Sequence, residues 1–260
     1  MQIIPQWLKM NSARPDLSIV IPALAEEKRI GQTLQTLSEF IRKDPVISKL
    51  RLEVLVVAAD SNDRTHEIIE QKAILFKRLV LLRPGPAVGK GRDVQYGILQ
   101  AQGKVIAYMD ADLATPLHHL SKFYTNVLDN ADIVMATRNI RKHHKDPLRI
   151  LVANTGNFLF RIAAGLWVED TQCGFKMFSS HAAKLCFSRM TIQKWGFDME
   201  ILAIAKANRL KVVTRRVNDW QDMPFSTFNA NIIKNSLHSL KDLACIAKNR
   251  LTGAYTTPEV

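Results

Sequence analysis

Short, nearly continuous apolar runs alternate with amphipathic stretches through the first half of this chain. Five of these runs are rich in aliphatic residues and predict buried strands, at residues 17–21, 53–58, 79–83, 104–109 and 132–136. In residues 26–43, apolar side chains instead recur at three- and four-residue spacing, which predicts a helix. Because strands and helices alternate, the pattern predicts an α/β fold with a mainly parallel central sheet and helices on both faces.

The loops that follow the predicted strands are where we expect the chemistry. In open parallel sheets, ligands bind outside the carboxyl ends of the strands. Residues 22–27, 58–65, 84–91 and 110–116 each follow one of these strands. We therefore expect the four loops to share one edge of the sheet.

The second half of the chain has a less regular pattern. It predicts a helix, a loop leading into a short strand, another helix, a late strand and a long amphipathic helix, over residues 148–167, 169–178, 197–208, 211–217 and 231–251. We find no internal repeat, low-complexity tract or long linker in the sequence. One catalytic domain with a C-terminal extension is the simplest organisation.

Composition narrows the class of partner. The chain has 260 residues, of which 47% are hydrophobic, and its formal net charge is +12. Such a basic balance suits an anionic partner: nucleic acid, a nucleotide-bearing substrate or an anionic membrane surface. Nucleic acid is the weakest of the three, because the basic residues are not interleaved with aromatic residues in any known binding motif.

Cysteines and hydrophobic segments bear on the compartment. The three cysteines, Cys173, Cys186 and Cys245, form neither a disulfide pattern nor a zinc motif, which favours a reducing compartment. The N-terminal residues lack the basic and long apolar regions of a signal peptide. No stretch reaches the roughly 18 uncharged apolar residues that a spanning helix needs. We therefore expect a cytoplasmic protein.

The most informative segment is the apolar strand at residues 104–109, which leads into Asp110 and Asp112. Side chains two residues apart on a strand point to the same side. Two carboxylates aimed at one point favour a divalent cation, and Mg²⁺ and Mn²⁺ prefer such oxygen ligands. The alternative is a strand followed by an aspartate-rich turn or helix cap.

Further motifs resemble those of a known family. The chain contains, in this order, SIVIPALAEE, VVAADSNDRT, GKGRDVQYGILQAQGKVIAYMDADLATP, DTQCGFKMF and WGFDMEILAIA. Over residues 17–225 these motifs resemble the family-two glycosyltransferases of GT-A fold. Within that family the chain looks most like the polyprenyl-phosphate sugar transferases of the dolichyl-phosphate β-glucosyltransferase type, and DTQCGFK points to the glucosyl branch.

The resemblance also implies how the chain is divided. Residues 17–225 are expected to form the GT-A catalytic domain. An N-terminal extension, residues 1–16, precedes it, and a C-terminal amphipathic helix and tail, residues 226–260, follow it.

The donor-binding residues are implied by the same resemblance. Asp112 is the expected direct ligand of Mg²⁺ or Mn²⁺, and Asp110 is the expected partner of the ribose or the metal. Lys90 lies in a glycine-flanked bend that an anion can approach closely, unless it is only an exposed loop lysine. Glu26, which follows Pro22, takes the place of the family glutamate that contacts the nucleotide; it also favours the positive end of the next helix.

One departure from the family concerns recognition of the base. The family usually carries Asp-Asp-Gly-Ser after the second strand, and an aspartate there hydrogen-bonds the base. This chain has Ala59 at that aspartate position and Asp60 at the glycine position. Either Asp60 substitutes through a shifted loop, or base recognition differs. UDP is therefore implied by the family branch alone.

The acceptor implied by the resemblance is a lipid phosphate. Arg138 and Arg149 lie in a basic stretch that can supply charge for it, and a solvated basic loop is the alternative. Gln172, Lys176 and Trp195 are expected to border the sugar or the acceptor.

The expected reaction is transfer of a hexose, glucose from UDP-glucose, to a polyprenyl phosphate such as dolichyl or undecaprenyl phosphate, with inversion at the anomeric carbon. Asp198 stands where many relatives carry a base, but capping or orienting the next helix is an equally open role. The alternative functions are transfer to a soluble or glycan acceptor, use of GDP-mannose, and a nucleotide-binding subunit without catalysis.

A polyprenyl acceptor lies in a bilayer, which raises the question of membrane contact. Residues 148–167 and 231–251 both predict helices with an apolar face and basic flanks, as interfacial helices have. Peripheral attachment at the cytosolic face of an anionic membrane is the resulting expectation. The alternatives are that both helices cover the sheet, or that a membrane-spanning partner subunit or a homo-oligomer supplies the attachment.

Overall fold

The computed structural model describes residues 13–138 and 170–220, five residues between positions 155 and 165, and residues 232–256. Side chains of the last segment are described from residue 240 onward.

Within the described residues, seven strands form one sheet. The strands are β1 (Leu17–Ala23), β2 (Leu52–Ala58), β3 (Leu79–Leu82), β4 (Val105–Met109), β5 (Ile133–Arg138), β6 (Phe175–Ser179) and β7 (Val212–Val217). They lie in the order β3-β2-β1-β4-β6-β5-β7. All neighbouring strands are parallel except β6, which runs antiparallel to both β4 and β5. The predicted α/β fold with a mainly parallel sheet is confirmed.

Seven α-helices of the described part accompany this sheet. They are α1 (Ile30–Lys43), α2 (Thr65–Lys72), α3 (Lys90–Gln100), α4 (His119–Leu128), α5 (Ser180–Arg189), α6 (Phe197–Ala207) and α7 (Ile232–Leu251). Short 3₁₀ turns occupy Ile47–Lys49 and Ala73–Leu75. None of the described helices is both long enough and apolar enough to cross a bilayer.

Two apolar layers, one on each side of the sheet, form the core. Side chains alternate between the faces of a strand: on β4, Ile106 and Tyr108 join the layer beneath α3, α5 and α6, whereas Ala107 and Met109 join the layer beneath α1 and α4. All four side chains are nearly or completely inaccessible to solvent. A strand buried on both faces reads as a continuous apolar run, which is why the sequence predicted it.

Strand β1 extends through Pro22 to Ala23, two residues farther than the sequence predicts. Proline lacks the N–H that a central strand would donate. Pairing of β1 with β4 ends at Val20, while pairing with β2 continues to Ala23. Pro22 therefore lies where one side of β1 is already free of the ladder.

The starts of two helices, α4 and α5, are set by local features of the chain. Helix α4 begins at His119, after two turns that separate it from the end of β4. Helix α5 was not predicted from the sequence. Its start is marked by Ser179, whose Oγ accepts a hydrogen bond from the Ala182 N–H, as an N-cap serine does.

The C-terminal helix and the tail after it are joined to the rest of the described chain by apolar packing and a buried hydrogen bond. Leu243 and Ile246 of α7 pack into the layer around α6. After α7, the hydroxyl of Tyr255 donates to Glu200 Oε1 over 2.9 Å, and both residues are buried. The same carboxylate accepts hydrogen bonds from the N–H groups of Thr191 and Ile192. The tail therefore fixes the loop that precedes α6.

We expect the variant Tyr255→Phe to lower the free energy of unfolding by about 1–3 kcal/mol, because it removes one donor from a buried carboxylate. Urea denaturation of the whole chain measures this effect. Tyr96→Phe is the matched control, since the Tyr96 hydroxyl makes no hydrogen bond among the described residues. Equal stability of the two variants would contradict the role given to Tyr255.

Candidate active site

Lys90, Asp110 and Asp112 meet at the carboxyl-terminal edge of the sheet. Asp110 follows β4 directly, and Lys90 is the first residue of α3. The Lys90 Nζ lies 2.6 Å from Asp110 Oδ1. Burial would lower the pKa of Lys90, but the negative charges of Asp110, Asp198 and Asp112 outweigh it and raise that pKa. Lys90 is therefore held in its charged form at this edge.

Asp112 is partly buried and lies beside the first carboxylate. Its Oδ1 accepts a hydrogen bond from the Ala114 N–H over 3.0 Å. Burial, and then the charge of Asp110, raise the pKa of Asp112. Between the two aspartates, the carbonyl of Ala111 accepts a hydrogen bond from the hydroxyl of Thr33 on α1, which fixes this turn to the neighbouring helix.

The carboxylate pair fits a hard divalent cation. Asp110 Oδ1 is buried, and its partner among the described residues is the Lys90 ammonium, 2.6 Å away. The Asp112 carboxylate interacts electrostatically with Asp110, and two neighbouring carboxylates have the donor chemistry that Mg²⁺ and Mn²⁺ prefer. Asp110 and Asp112 are the residues that would hold the ion.

Close backbone packing sets the position of Lys90. A Cβ added at Gly89 would lie 2.5 Å from the carbonyl oxygen of Gln193, and one at Gly91 would lie 2.8 Å from that of Ile192. The Lys90 bend can thus approach the loop before α6 only because both flanking residues are glycine. On that loop, Trp195 is 56% exposed, with its ring centroid 5.2 Å from Lys90 Nζ.

Gly174, within the DTQCGFK segment, supports the first carboxylate. The Asp110 N–H donates to the Gly174 carbonyl over 3.1 Å. A Cβ at Gly174 would lie only 2.0 Å from Asp110 Oδ2, so the carboxylate occupies the space that any side chain would need. Sequence reasoning missed Gly174; the glycine in an otherwise polar motif was the available signal.

Lys176 is not where the sequence predicted it. We expected it to border the sugar or the acceptor, but its side chain is completely buried. Its Nζ lies 2.5 Å from Asp198 Oδ1 and donates to the Tyr108 hydroxyl over 3.0 Å and to the Cys173 carbonyl over 2.8 Å. The physical reason is neutralisation, since a buried carboxylate without a cation is very costly.

Asp198 is held inside the same network. It lies in the first turn of α6 and is 2% exposed. The hydroxyl of Tyr108 donates to the same Oδ1 that contacts Lys176. Burial, followed by the charge of Asp198, raises the pKa of Tyr108 well above its ordinary value, so the phenol stays protonated as a donor. This geometry matches the orienting role considered for Asp198 more closely than that of an accessible base.

Arg138, at the end of β5, is paired with a motif residue. Its Nε lies 2.7 Å from Asp170 Oδ2, and its guanidinium carbon is 5.1 Å from the ring centroid of Trp220. Burial would raise the pKa of Asp170, but the hydrogen bonds and the charge of Arg138 lower it instead. Gln172, two residues on, is exposed. Arg149 lies outside the described residues.

The loops after β1 and β2 complete this edge of the sheet. Glu26 forms a bidentate pair with Arg29, with both contacts at 2.7 Å. Pro22 is partly exposed beside it. Ala59 is completely buried, whereas Asp60 is exposed and its N–H donates to the Gly85 carbonyl over 3.0 Å. Only Asp60 of that pair therefore presents a side chain to solvent.

The cysteine beside this edge, Cys173, is part of the packed interior. Cys173 is buried, and burial followed by the charge of Asp170 raises the pKa of its thiol to about 11. Such a thiol is a packed side chain and a poor nucleophile.

The chain matches one family model and a set of curated relatives. The model described as Glycosyl transferase family 2 matches residues 18–185. A dolichyl-phosphate β-glucosyltransferase of Trichomonas vaginalis is 30% identical over 241 residues, covering 86% of this chain and 72% of that protein. The human dolichyl-phosphate β-glucosyltransferase is 28% identical over 263 residues, covering 94% of this chain and 79% of that protein.

Solved structures share the fold. Glucosyl-3-phosphoglycerate synthase of Mycobacterium tuberculosis aligns with a TM-score of 0.61 at 18% identity, covering 90% of this chain and 80% of its own. A mannosyltransferase of Pyrobaculum calidifontis, in complex with GDP-mannose and Mn²⁺, aligns with a TM-score of 0.56 at 16% identity, covering 98% and 81%. These likenesses confirm the predicted GT-A-like fold.

We expect Gly174→Ala to weaken Mn²⁺ binding by about 10- to 100-fold, the usual effect of disturbing a group that orients a metal ligand, because the new methyl group displaces Asp110. Electron paramagnetic resonance of free Mn²⁺ measures the affinity. Gly31→Ala is the control, since its methyl group would meet only side-chain carbons, Ile68 Cγ2 at 3.2 Å and Lys72 Cε at 3.9 Å. Unchanged Mn²⁺ affinity in folded Gly174→Ala would show that Asp110 does not need this space.

Proposed function

We propose that this chain, which belongs to glycosyl transferase family 2 and is a glycosyltransferase, moves glucose from UDP-glucose onto a polyprenyl phosphate such as dolichyl phosphate. The observation that carries the proposal is the meeting of Lys90, Asp110 and Asp112 at one edge of the sheet. The names of the relatives, dolichyl-phosphate β-glucosyltransferases, support the choice of sugar and acceptor.

Lys90 is suited to stabilise the leaving group. Transfer from a nucleotide sugar breaks the bond between the anomeric carbon and the diphosphate, and negative charge grows on the diphosphate. The Lys90 ammonium is charged, largely buried and fixed by its glycine-flanked bend, so it offers preorganised positive charge there. Bound Mg²⁺ or Mn²⁺, held by Asp110 and Asp112, would supply further electrostatic stabilisation.

The sugar is proposed to lie near Lys90 and to be bordered by two exposed residues, Trp195 and Gln172. The Trp195 ring gives a flat apolar surface next to the Lys90 ammonium. Gln172, exposed at the start of the segment that packs under Asp110, supplies amide hydrogen-bonding groups. The exposed side chains of Trp195 and Gln172, close to the carboxyl-terminal edge of the sheet, support these two roles.

Arg138 is proposed to position the acceptor phosphate, together with Arg149. Asp170 takes hydrogen bonds from Nε and Nη2 of Arg138, which leaves further guanidinium N–H donors for a second anion. A phosphate monoester is largely dianionic near neutral pH and requires positioning more than deprotonation. Its direct attack on the anomeric carbon inverts the configuration and gives a β-linked product.

Recognition of the base is proposed to be that of uridine, as in the family branch. Glu26 and Pro22 border the loop after β1, and Asp60 is the acidic side chain exposed after β2. Because Ala59 is buried and carries no hydrogen-bonding group, it cannot read the base as the family aspartate does. The proposal therefore assigns the acidic contact with the base to Asp60.

Membrane contact is proposed to be peripheral and cytosolic. Two helical residues four positions apart, Phe158 and Ile162, are 54% and 61% exposed. On α7, Leu243 and Ile246 face the core, while Lys241 and Lys248 are exposed. Exposed apolar side chains near basic ones favour binding to an anionic surface.

The reaction is tested with labelled UDP-glucose and GDP-mannose, each offered with polyprenyl phosphate and with soluble sugar acceptors. We expect glucosyl polyprenyl phosphate as the product and a loss of turnover of about 100- to 1,000-fold in Asp112→Asn, because the substitution removes a carboxylate ligand of the cation that would stabilise the leaving diphosphate. Asp129→Asn, at the exposed end of α4, is the control. Mannose transfer, a soluble product or near-normal Asp112→Asn activity would each refute a stated part of the proposal.

Membrane attachment is tested by sedimentation with vesicles. We expect the chain to pellet with vesicles that contain anionic lipid and to remain in solution with neutral vesicles, since each basic residue near an anionic surface contributes about 1 kcal/mol. The variant Phe158→Ser/Ile162→Ser should bind less, whereas Ile74→Ser, an exposed apolar residue in a 3₁₀ turn, is the control. Equal pelleting with both vesicle types would contradict this attachment.

A further inference from the structure

A second group of metal-binding side chains lies apart from the carboxylate pair. His118 and His119 stand where α4 begins, and Asp219 stands two residues after β7 ends. His118 Nε2 lies 3.0 Å from Asp219 Oδ2, and His119 Nε2 lies 2.8 Å from Asp219 Oδ1. The fold thus brings together three potential ligands from segments that are 100 residues apart in the chain.

The three ligand atoms lie close enough together for small side-chain movements to form a coordination shell. All of them lie within 4.8 Å of one another. Around a tetrahedral ion with bonds of about 2.0–2.2 Å, ligand atoms stand roughly 3.3 Å apart, so small side-chain rotations suffice to admit an ion.

Exposure leaves the site open to an ion from solution. The side chain of His118 is 62% exposed and that of Asp219 is 44% exposed, while His119 is 16% exposed. The ring of His119 also packs against Phe123, with 6.3 Å between the ring centroids, which holds one imidazole in place. One fixed imidazole and two accessible ligands suit reversible binding.

We propose that His118, His119 and Asp219 bind one divalent ion of the zinc class, such as Zn²⁺, Co²⁺ or Ni²⁺. Imidazole nitrogen is a preferred ligand of these ions, whereas Mg²⁺ and Mn²⁺ favour sites made of oxygen ligands. This site is therefore chemically distinct from Asp110 and Asp112, and it does not rest on the proposed function.

An ion in this site would join two parts of the fold. It would tie the first turn of α4 to the residues after β7, and the next residue, Trp220, packs over Arg138. Zinc would then hold the Asp219–Trp220 segment beside the edge where β5 ends. The consequence is a metal-dependent gain in stability.

The test is isothermal titration of the whole chain with zinc chloride. The protein is first stripped with a chelator and dialysed, and excess Mg²⁺ is present throughout. Visible absorption of bound Co²⁺ reports the coordination independently. The variants are His118→Gln, His119→Gln and Asp219→Asn; the matched control is His181→Gln, an exposed histidine on α5.

We expect one zinc ion per chain and an affinity at least about tenfold weaker in each variant of the three ligands, with His181→Gln unchanged. Asp112→Asn should also keep the zinc affinity. His118→Gln changes an exposed side chain, so this variant should fold normally, and a loss of zinc affinity in it reports loss of a ligand and not misfolding. Absence of zinc binding, equal binding in all ligand variants, or loss confined to Asp112→Asn would overturn the proposal, leaving only histidine–aspartate hydrogen bonds here.

Discussion

Carboxylates crowd the carboxyl-terminal edge of the sheet, and each of three is held there by its own cation. The pairs are Asp110 with Lys90 at 2.6 Å, Asp170 with Arg138 at 2.7 Å, and Asp198 with Lys176 at 2.5 Å. Carboxylates that share one edge repel each other, and an unpaired buried ion costs several kcal/mol. These three carboxylates can share this edge only because a cation reaches each of them. The arrangement of the site therefore depends on which strands and helices carry the three cations.

The antiparallel strand β6 is what makes this pairing possible. Because β6 runs against β4 and β5, its first residues lie where those two strands end. The residues that lead into β6 therefore enter the same edge: Asp170 holds Arg138, and Gly174 leaves room for the Asp110 carboxylate. Lys176, on β6 itself, forms the buried ion pair with Asp198. A parallel strand in that position would put its first residues at the opposite edge.

Local patterns carried most of what could be predicted from the sequence. Buried parallel strands are continuous apolar runs, so β2 and β4 were placed within a residue of their observed bounds. The two aspartates after β4 could also be recognised from a local pattern, because they lie two residues apart directly after that apolar run. Helix α5 was missed, since it is short and begins with polar residues.

Pairings between distant segments could not be read from the sequence in the same way. Lys176 and Asp198 are 22 residues apart, and nothing local distinguishes a buried lysine from one that faces a ligand. The same limit hid the contact between His119 and Asp219, whose separation is 100 residues. Ion pairing across a fold depends on sheet order, and the position of β6 between β4 and β5 was not predictable from periodicity.

The burial of Asp198 bears on the kind of acceptor that suits this site. A hydroxyl acceptor must lose a proton as it attacks, which requires an accessible base within hydrogen-bond reach. Asp198 is 2% exposed, and its Oδ1 is occupied by Lys176 and Tyr108. A phosphate oxygen attacks without giving up a proton, so the same carboxylate can be used to orient α6 and the Lys90 environment. A site without an accessible base at Asp198 and with Arg138 at its rim is therefore better matched to a phosphate than to a hydroxyl group.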